Sequence, residues 1–374
     1  MRRRRRHAYP MRDAAIPMRR FSNPGGTLNA VSRKLVLDLT ASAAQWEIPP
    51  RALDSIMGAA PPGWSVHSVS SPTSAESDGG HHASSDALLA IRDAEVYVGY
   101  GFTPALFAAA TKLRWVHSAS AGVGSLLFPE IVRSDVVVTN SAGIYAVPIA
   151  EYVVGGILAL LRGFDLAIAA QRERRWEKQP FDGAGSPLRE MGEVRALIIG
   201  GGGIGGAIAG RLAALGSQCT AIRRRPELGP PAGCSRVAGP HQLDELLPLH
   251  NVLIIAAPAT SETRGLVTGE RLDRLSKAAI VVNVARGALL DEEALAERLL
   301  SGRLRGAVLD VFREEPLSHD SPLWAIPTAI LTPHVAGVSP NVYWERQSGL
   351  LLENWNSYVR GEPLRNTVDK AAGY

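Results

Sequence analysis

The stretch that most restricts the fold is "LIIGGGGIGGAIAGRLAALG", residues 197–216: an apolar run, a glycine-dense turn and an alanine-rich helical pattern. Read as G-x-G-x-x-G it presents Gly200, Gly202 and Gly205. That spacing lets a strand reverse tightly into a helix and lets a pyrophosphate approach the backbone. The helix start then offers free N–H groups and the positive end of its dipole to the phosphates. A glycine corner of this kind also occurs without any ligand, so its surroundings decide.

On both sides of the turn the chain alternates strand-like and helix-like segments. From about Lys34 they run "KLVLDLT", a helical stretch, "WSVHSV", the polar loop "SSPTSAESDGGHHASSD", helix "ALLAIRDA", strand "EVYVGYG", helix "PALFAAATKL", and strands "RWVHSAS" and "VVVTNS". A long helix expected from about Val147 to Arg172 leads to strand "RALIIG", the glycine turn, strand "QCTAIR", helix "QLDELLPL" and strands "NVLIIAAP" and "AIVVNVA". Helix "DEEALAERLL", strands "GAVLDV" and "TAILTP", and a last helix from about Pro340 to Arg360 follow. Such alternation predicts parallel sheets covered by helices on both faces. The glycine turn therefore follows a strand and opens a helix.

The next strand ends at Ile222, where a dinucleotide fold meets the adenosine ribose about 20 residues after the first glycine. Here the tip reads Ile222-Arg223-Arg224-Arg225-Pro226. An acidic residue would accept bonds from a ribose 2′-OH, whereas Arg223 and Arg224 offer forked donors to a 2′-phosphate. NADP is thus expected in preference to NAD; the alternative is a solvated arginine cluster.

Charge narrows the partners. The net charge is +4, but residues 1–20 hold eight arginines and one aspartate, which leaves the rest of the chain mildly acidic. A nucleic-acid-binding body would need a basic folded face, so no such partner is expected. The arginine-rich tail, residues 1–33, lacks an apolar core and reads as a disordered extension rather than a secretory signal. Cys219 and Cys234 form no ligand-type pair, so neither a disulfide framework nor a metal site is expected and a reducing cytoplasm suits them. The apolar run "YVVGGILALL", bracketed by Glu151 and Arg162, is half a membrane span and reads as a buried helix.

Three stretches carry groups suited to hydride transfer, each at or just past the carboxyl end of an expected strand, where open parallel sheets place ligands. They are "NVARGALLDEEAL" with Arg286, "GAVLDVFREEPLSHDSPLW" with Glu315, and "LTPHVAG" with His334. Singly, Arg286 reads as a helix cap, Glu315 as surface and His334 as a turn residue. Together they supply a carboxylate clamp, a proton donor and a group that tunes the donor.

With "SASAGVGSLL" and "VTNSAGIYAVPIAEYV" added, the chain from about Lys34 to Asp369 resembles the D-isomer-specific 2-hydroxyacid dehydrogenases, including glyoxylate/hydroxypyruvate reductases and short-form phosphoglycerate dehydrogenases. The resemblance implies an α/β fold of two lobes, a Rossmann NAD(P)-binding domain at residues 140–335 inserted into a flavodoxin-like substrate domain at 34–139 and 336–374. It implies that Arg286 binds the substrate carboxylate, that His334 is the acid that protonates the keto oxygen and the base in reverse, and that Glu315 orients and charges His334. Backbone N–H groups of Ala121 and Gly122 are implied further carboxylate donors. Gly203, Ile204, Ala257, Pro258, Thr263, Val284, Ala285 and Asp310 are implied to line the cofactor, Asp310 facing the nicotinamide. A cytoplasmic homodimer follows by the same analogy.

Gly124 and Asn251 stand where the pattern often has aspartate, which puts local hydrogen bonding in question. Glu315 speaks for a ketoacid or hydroxyacid, because formate oxidation needs no acid–base proton transfer. The rival readings are a dinucleotide-sensing, corepressor-like binding protein on the same fold and a 3-phosphoglycerate-type dehydrogenase; a methyltransferase shares only the glycine turn. Substrate selectivity is expected around Tyr97 to Phe102 and at Tyr343, Trp344 and Arg346; the alternative is that these positions pack the core.

Overall fold

A computed structural model of the chain describes residues 33–41, 46–71 and 83–373. The arginine-rich tail up to residue 32, and most of the polar loop that precedes Ser84, lie outside the described residues. Two compact units divide the chain, one running to Ser141 and resuming at Pro340, the other spanning Ala142–Ser339.

The first unit runs β1 (Arg33–Asp38), α1 (Pro50–Gly58), β2 (Trp64–Ser68), α2 (Ser85–Ala90), β3 (Val96–Gly99), α3 (Pro104–Ala109), β4 (Trp115–Ser118), α4 (Pro129–Arg133) and β5 (Val137–Asn140). Its strands pair in parallel in the order β2-β1-β3-β4-β5. Sheets of this order place ligands beside the strands where the order reverses.

The second unit runs α5 (Ala146–Leu161), α6 (Phe164–Arg172), α7 (Gln179–Asp182), β6 (Arg195–Ile199), α8 (Gly203–Ala214), β7 (Gln218–Ile222), β8 (Arg236–Ala238), α9 (Leu243–Leu246) and β9 (Val252–Ile255). It continues with α10 (Gly269–Arg274), β10 (Ile280–Asn283), α11 (Glu292–Leu300), β11 (Gly306–Leu309) and β12 (Ala329–Leu331), after which α12 (Tyr343–Arg360) belongs to the first unit. The second sheet, also parallel, has the order β12-β11-β10-β9-β6-β7-β8. The order reverses between β6 and β9, the Rossmann arrangement. The strands are nearly continuous apolar runs buried on both faces, as a covered parallel sheet requires.

Two sequence expectations are corrected. The long helix from Val147 to Arg172 is two helices meeting at 68°. Gly163 between them adopts φ +69°, a left-handed conformation that ends the first helix. Segment "QLDELLPL" makes only a four-residue α-helix between 3-10 turns, because Pro248 cannot continue the ladder. Tyr97 and Phe102 are core residues, 0% and 3% exposed, and Tyr97 donates its hydroxyl proton to the buried Asp38 carboxylate at 2.6 Å. They pack the first sheet.

Asn251 resolves one departure from the family pattern. Its Oδ1 accepts the Arg195 N–H and its Nδ2 donates to the Glu193 carbonyl, both at 2.8 Å. An amide serves a donor and an acceptor at once, which a carboxylate cannot.

Candidate active site

The glycine turn lies at the β6/β9 switch point. Gly200 has φ +108°, and a Cβ there would sit 2.5 Å from the Ala256 carbonyl oxygen just past β9. At Gly205 a Cβ would overlap the Gly200 carbonyl oxygen. These two glycines are demanded by the packing of strand, turn and helix. Gly202 and Gly203 are exposed, and a Cβ on either would meet nothing within 4 Å. Gly202 caps α8 without a side-chain hydrogen bond, so the first N–H groups of the helix face outward, free of side-chain competition. The cradle fits a pyrophosphate. Ile204 packs on the core behind it.

Past β7, Arg223 is half-buried beside Gly201 and donates from Nη1 to the Gly229 carbonyl at 3.0 Å. Arg224 is exposed and pairs with Glu262 at 3.7 Å. Glu262 belongs to the loop after β9, which is braced by Thr263: its Oγ1 donates to the Pro258 carbonyl at 2.7 Å and accepts the Thr260 N–H at 2.8 Å. Ala257 is buried at the root of that loop, as are Val284 and Ala285 at the end of β10.

The catalytic candidates gather at the carboxyl ends of β10, β11 and β12. Arg286 follows β10 on a turn braced by Asn283, whose Nδ2 donates to the Arg286 carbonyl and whose Oδ1 accepts the Ala285 N–H, both at 3.1 Å. Gly287 comes so close to the segment after β11 that a Cβ would overlap the Phe312 carbonyl and the Arg313 nitrogen. Glu315 sits on that segment and accepts the Phe312 N–H at 3.0 Å through Oε1. Its Oε2 lies 2.8 Å from His334 Nδ1. Only the imidazole can donate to a carboxylate, so Nδ1 carries a proton and Nε2 is left for a reacting atom.

Electrostatics complete the picture. The Glu315 hydrogen bond and charge, aided by Asp310, raise the His334 pKa against burial and the charge of Arg286. Burial opposes ionisation of Glu315, but the His334 and Phe312 hydrogen bonds and the charges of His334 and Arg286 outweigh it, and its pKa is lowered. Both shifts favour an imidazolium–carboxylate pair, and both groups feel Arg286. The three residues singled out in the sequence share one field.

Asp310 lies just past the end of β11. It is 3% exposed, and its carboxylate accepts Thr332 Oγ1 at 2.6 Å and the N–H groups of Val335 and Ala336 at 2.8 and 2.9 Å. It holds the turn that carries His334. In the first unit, Ala121 and the exposed Gly122 lie on the loop after β4, where Asn140 Nδ2 donates to the Ala121 carbonyl at 2.8 Å. Tyr343 is buried and stacks edge-on against Trp46, with ring centroids 4.9 Å apart. Asn283, Asn140 and Thr332 were missed from sequence. The one available signal was an amide or hydroxyl at a strand end beside a candidate site residue.

Residues 154–336 match the family model described as the D-isomer specific 2-hydroxyacid dehydrogenase NAD binding domain. A glyoxylate/hydroxypyruvate reductase A from Salmonella newport (strain SL254) is 32% identical over 278 residues, 72% of this chain and 85% of that one. Among solved structures, a D-isomer specific 2-hydroxyacid dehydrogenase from Xanthobacter autotrophicus Py2, in complex with NADPH and MES, superposes with a TM-score of 0.74 at 30% identity. It covers 92% of this chain and 100% of its own. An NADPH-dependent glyoxylate/hydroxypyruvate reductase from Sinorhizobium meliloti, in complex with NADP and sulfate, gives 0.71 at 28% identity, covering 91% and 100%.

Proposed function

The chain belongs to the D-isomer-specific 2-hydroxyacid dehydrogenase family, and from that premise we propose that it is an NADPH-dependent reductase of small 2-ketoacids such as glyoxylate and hydroxypyruvate. The observation that carries this reading is the 2.8 Å His334–Glu315 pair within the field of Arg286. The cofactor, when bound, supplies the hydride. Gly202, Gly203 and the start of α8 would hold its pyrophosphate, and Arg223 would meet its 2′-phosphate. Ala257, Pro258, Thr263, Val284 and Ala285 wall the rest.

Arg286 binds the substrate carboxylate through its forked donors and polarises the keto oxygen. His334 enters reduction as the imidazolium and passes its Nε2 proton to the keto oxygen; in the oxidative direction the neutral ring takes that proton back. Glu315 keeps Nδ1 protonated throughout and stabilises the charged ring.

We also infer a cytoplasmic homodimer. The outer faces of α5 and α8 form an apolar groove lined by Val154, Gly155, Leu158, Ala214 and Leu215 and flanked by the Glu151–Arg211 pair. Phe164, Ile168 and Trp176 are exposed nearby along the chain, Trp176 by 92%. Exposed apolar surface of this kind favours association.

The deciding experiment follows NADPH and NADH absorbance with glyoxylate, hydroxypyruvate and pyruvate. Turnover of at least one ketoacid, faster with NADPH, is expected. Cofactor binding without turnover of any of them would replace this reading with the sensor.

A further inference from the structure

His334 has φ +55°, a left-handed conformation that non-glycine residues rarely adopt. It persists only because its surroundings impose it. The Asp310 carbonyl accepts the His334 N–H at 2.8 Å, and the Asp310 carboxylate takes the next two N–H groups and the Thr332 hydroxyl. One buried aspartate thus grips the turn on both sides of the catalytic histidine.

The grip extends one residue further. Thr332 Oγ1 lies 2.6 Å from Asp310 Oδ1 and 2.8 Å from the Tyr152 hydroxyl. A hydroxyl has one proton to give. The carboxylate can only accept, so the Thr332 proton goes to Asp310 and the Tyr152 proton goes to Thr332. Burial raises the Tyr152 phenol to about 12, so it remains a donor across the working range. Tyr152 stands on α5, which packs on the second sheet.

We propose that Tyr152 and Thr332 are positioning residues for His334, forming a directed chain from α5 through Asp310 to the turn that aims the imidazole. This rests on the reading of His334 as the proton donor. The charged groups acting on His334 are Glu315, Arg286 and Asp310. Thr332 fixes the last of these through its 2.6 Å hydrogen bond, and without that bond the Asp310 carboxylate is no longer held beside the ring.

The test combines two readouts on the full chain. NMR titration of the His334 imidazole without substrate reports the positioning directly; kcat against pH for glyoxylate reduction with NADPH reports its effect. Thr332→Val should move the His334 titration to lower pH, lower kcat about tenfold and leave KM for NADPH within about twofold. Tyr152→Phe should do the same more weakly, and Thr332→Ser should restore wild-type behaviour.

Wild-type titration and pH profiles in both Thr332→Val and Tyr152→Phe, with only the melting temperature changed, would overturn the inference. If Thr332→Val does not fold, Tyr152→Phe decides. A wild type that turns over no ketoacid would defeat the functional reading alone, since the imidazole titration still answers the positioning question.

Discussion

Replacing Gly287 by alanine should separate catalysis from cofactor binding. The new methyl would overlap the Phe312 carbonyl and the Arg313 nitrogen, where carbon atoms need about 3.5–4.0 Å. The β10–β11 connection must therefore open by about 1 Å or more. Neither flank is a flexible side-chain tip. On one side Arg286 is the adjoining residue; on the other the Phe312 N–H holds Glu315 Oε1, and the Arg313 N–H is held by Glu292 at 2.6 Å. The displacement falls between Arg286 and the partner of His334. Misplacement by about 1 Å costs on the order of a hundredfold in rate, and overpacking of a core costs about 1–3 kcal/mol. We expect kcat/KM for glyoxylate to fall about a hundredfold and the melting temperature to drop by several degrees, with NADPH binding, followed by fluorescence, nearly unchanged. Gly202→Ala is the counterpart: nothing lies within 4 Å of the added methyl, so stability should hold while NADPH affinity falls. A folded Gly287→Ala enzyme with wild-type kcat/KM would refute the claim that this contact sets the site.

Glu315→Gln removes the charge that raises the His334 pKa. A raised pKa keeps the imidazolium populated to higher pH, so reduction by the variant should fall away at lower pH than in the wild type, while oxidation suffers less near neutrality; superimposed pH–rate profiles would disprove the pairing. Arg223→Asp should weaken NADPH about tenfold or more, charge-assisted hydrogen bonds being worth about 1.5–3 kcal/mol, and spare NADH; equal use of both cofactors by the wild type would reduce the arginine to surface decoration. Asn251→Ala removes two hydrogen bonds at the start of β6 and should lower the melting temperature by about 2–4 °C for each kcal/mol lost, with kcat unchanged. Leu158→Glu in the α5–α8 groove should yield a monomer by light scattering if that face joins two copies, and leave the mass unaltered if it does not.

Much of the fold was legible because its signals are local. Strand and helix alternation requires parallel sheets, and the glycine turn announces itself by the strand before it and the helix after it. Arg286, Glu315 and His334 could be singled out as candidates because each stands within a few residues of the carboxyl end of a strand. The break at Gly163 was less visible: both flanking segments are good helix formers, and only the backbone angle of one glycine separates them. Burial of Tyr97 and Phe102 was left open, since an aromatic in or just past a strand packs or faces a ligand according to what lies opposite. The same holds for Asp310. Its type and position were evident, but its acceptors are committed to Thr332, Val335 and Ala336, more than 20 residues on. Sequence by itself determined which elements form and which chemical groups stand at their ends, because backbone propensity and periodicity act over neighbouring residues. Tertiary structure alone decided which partner each polar group meets, because hydrogen bonds and charges are settled between residues that the folded chain brings together.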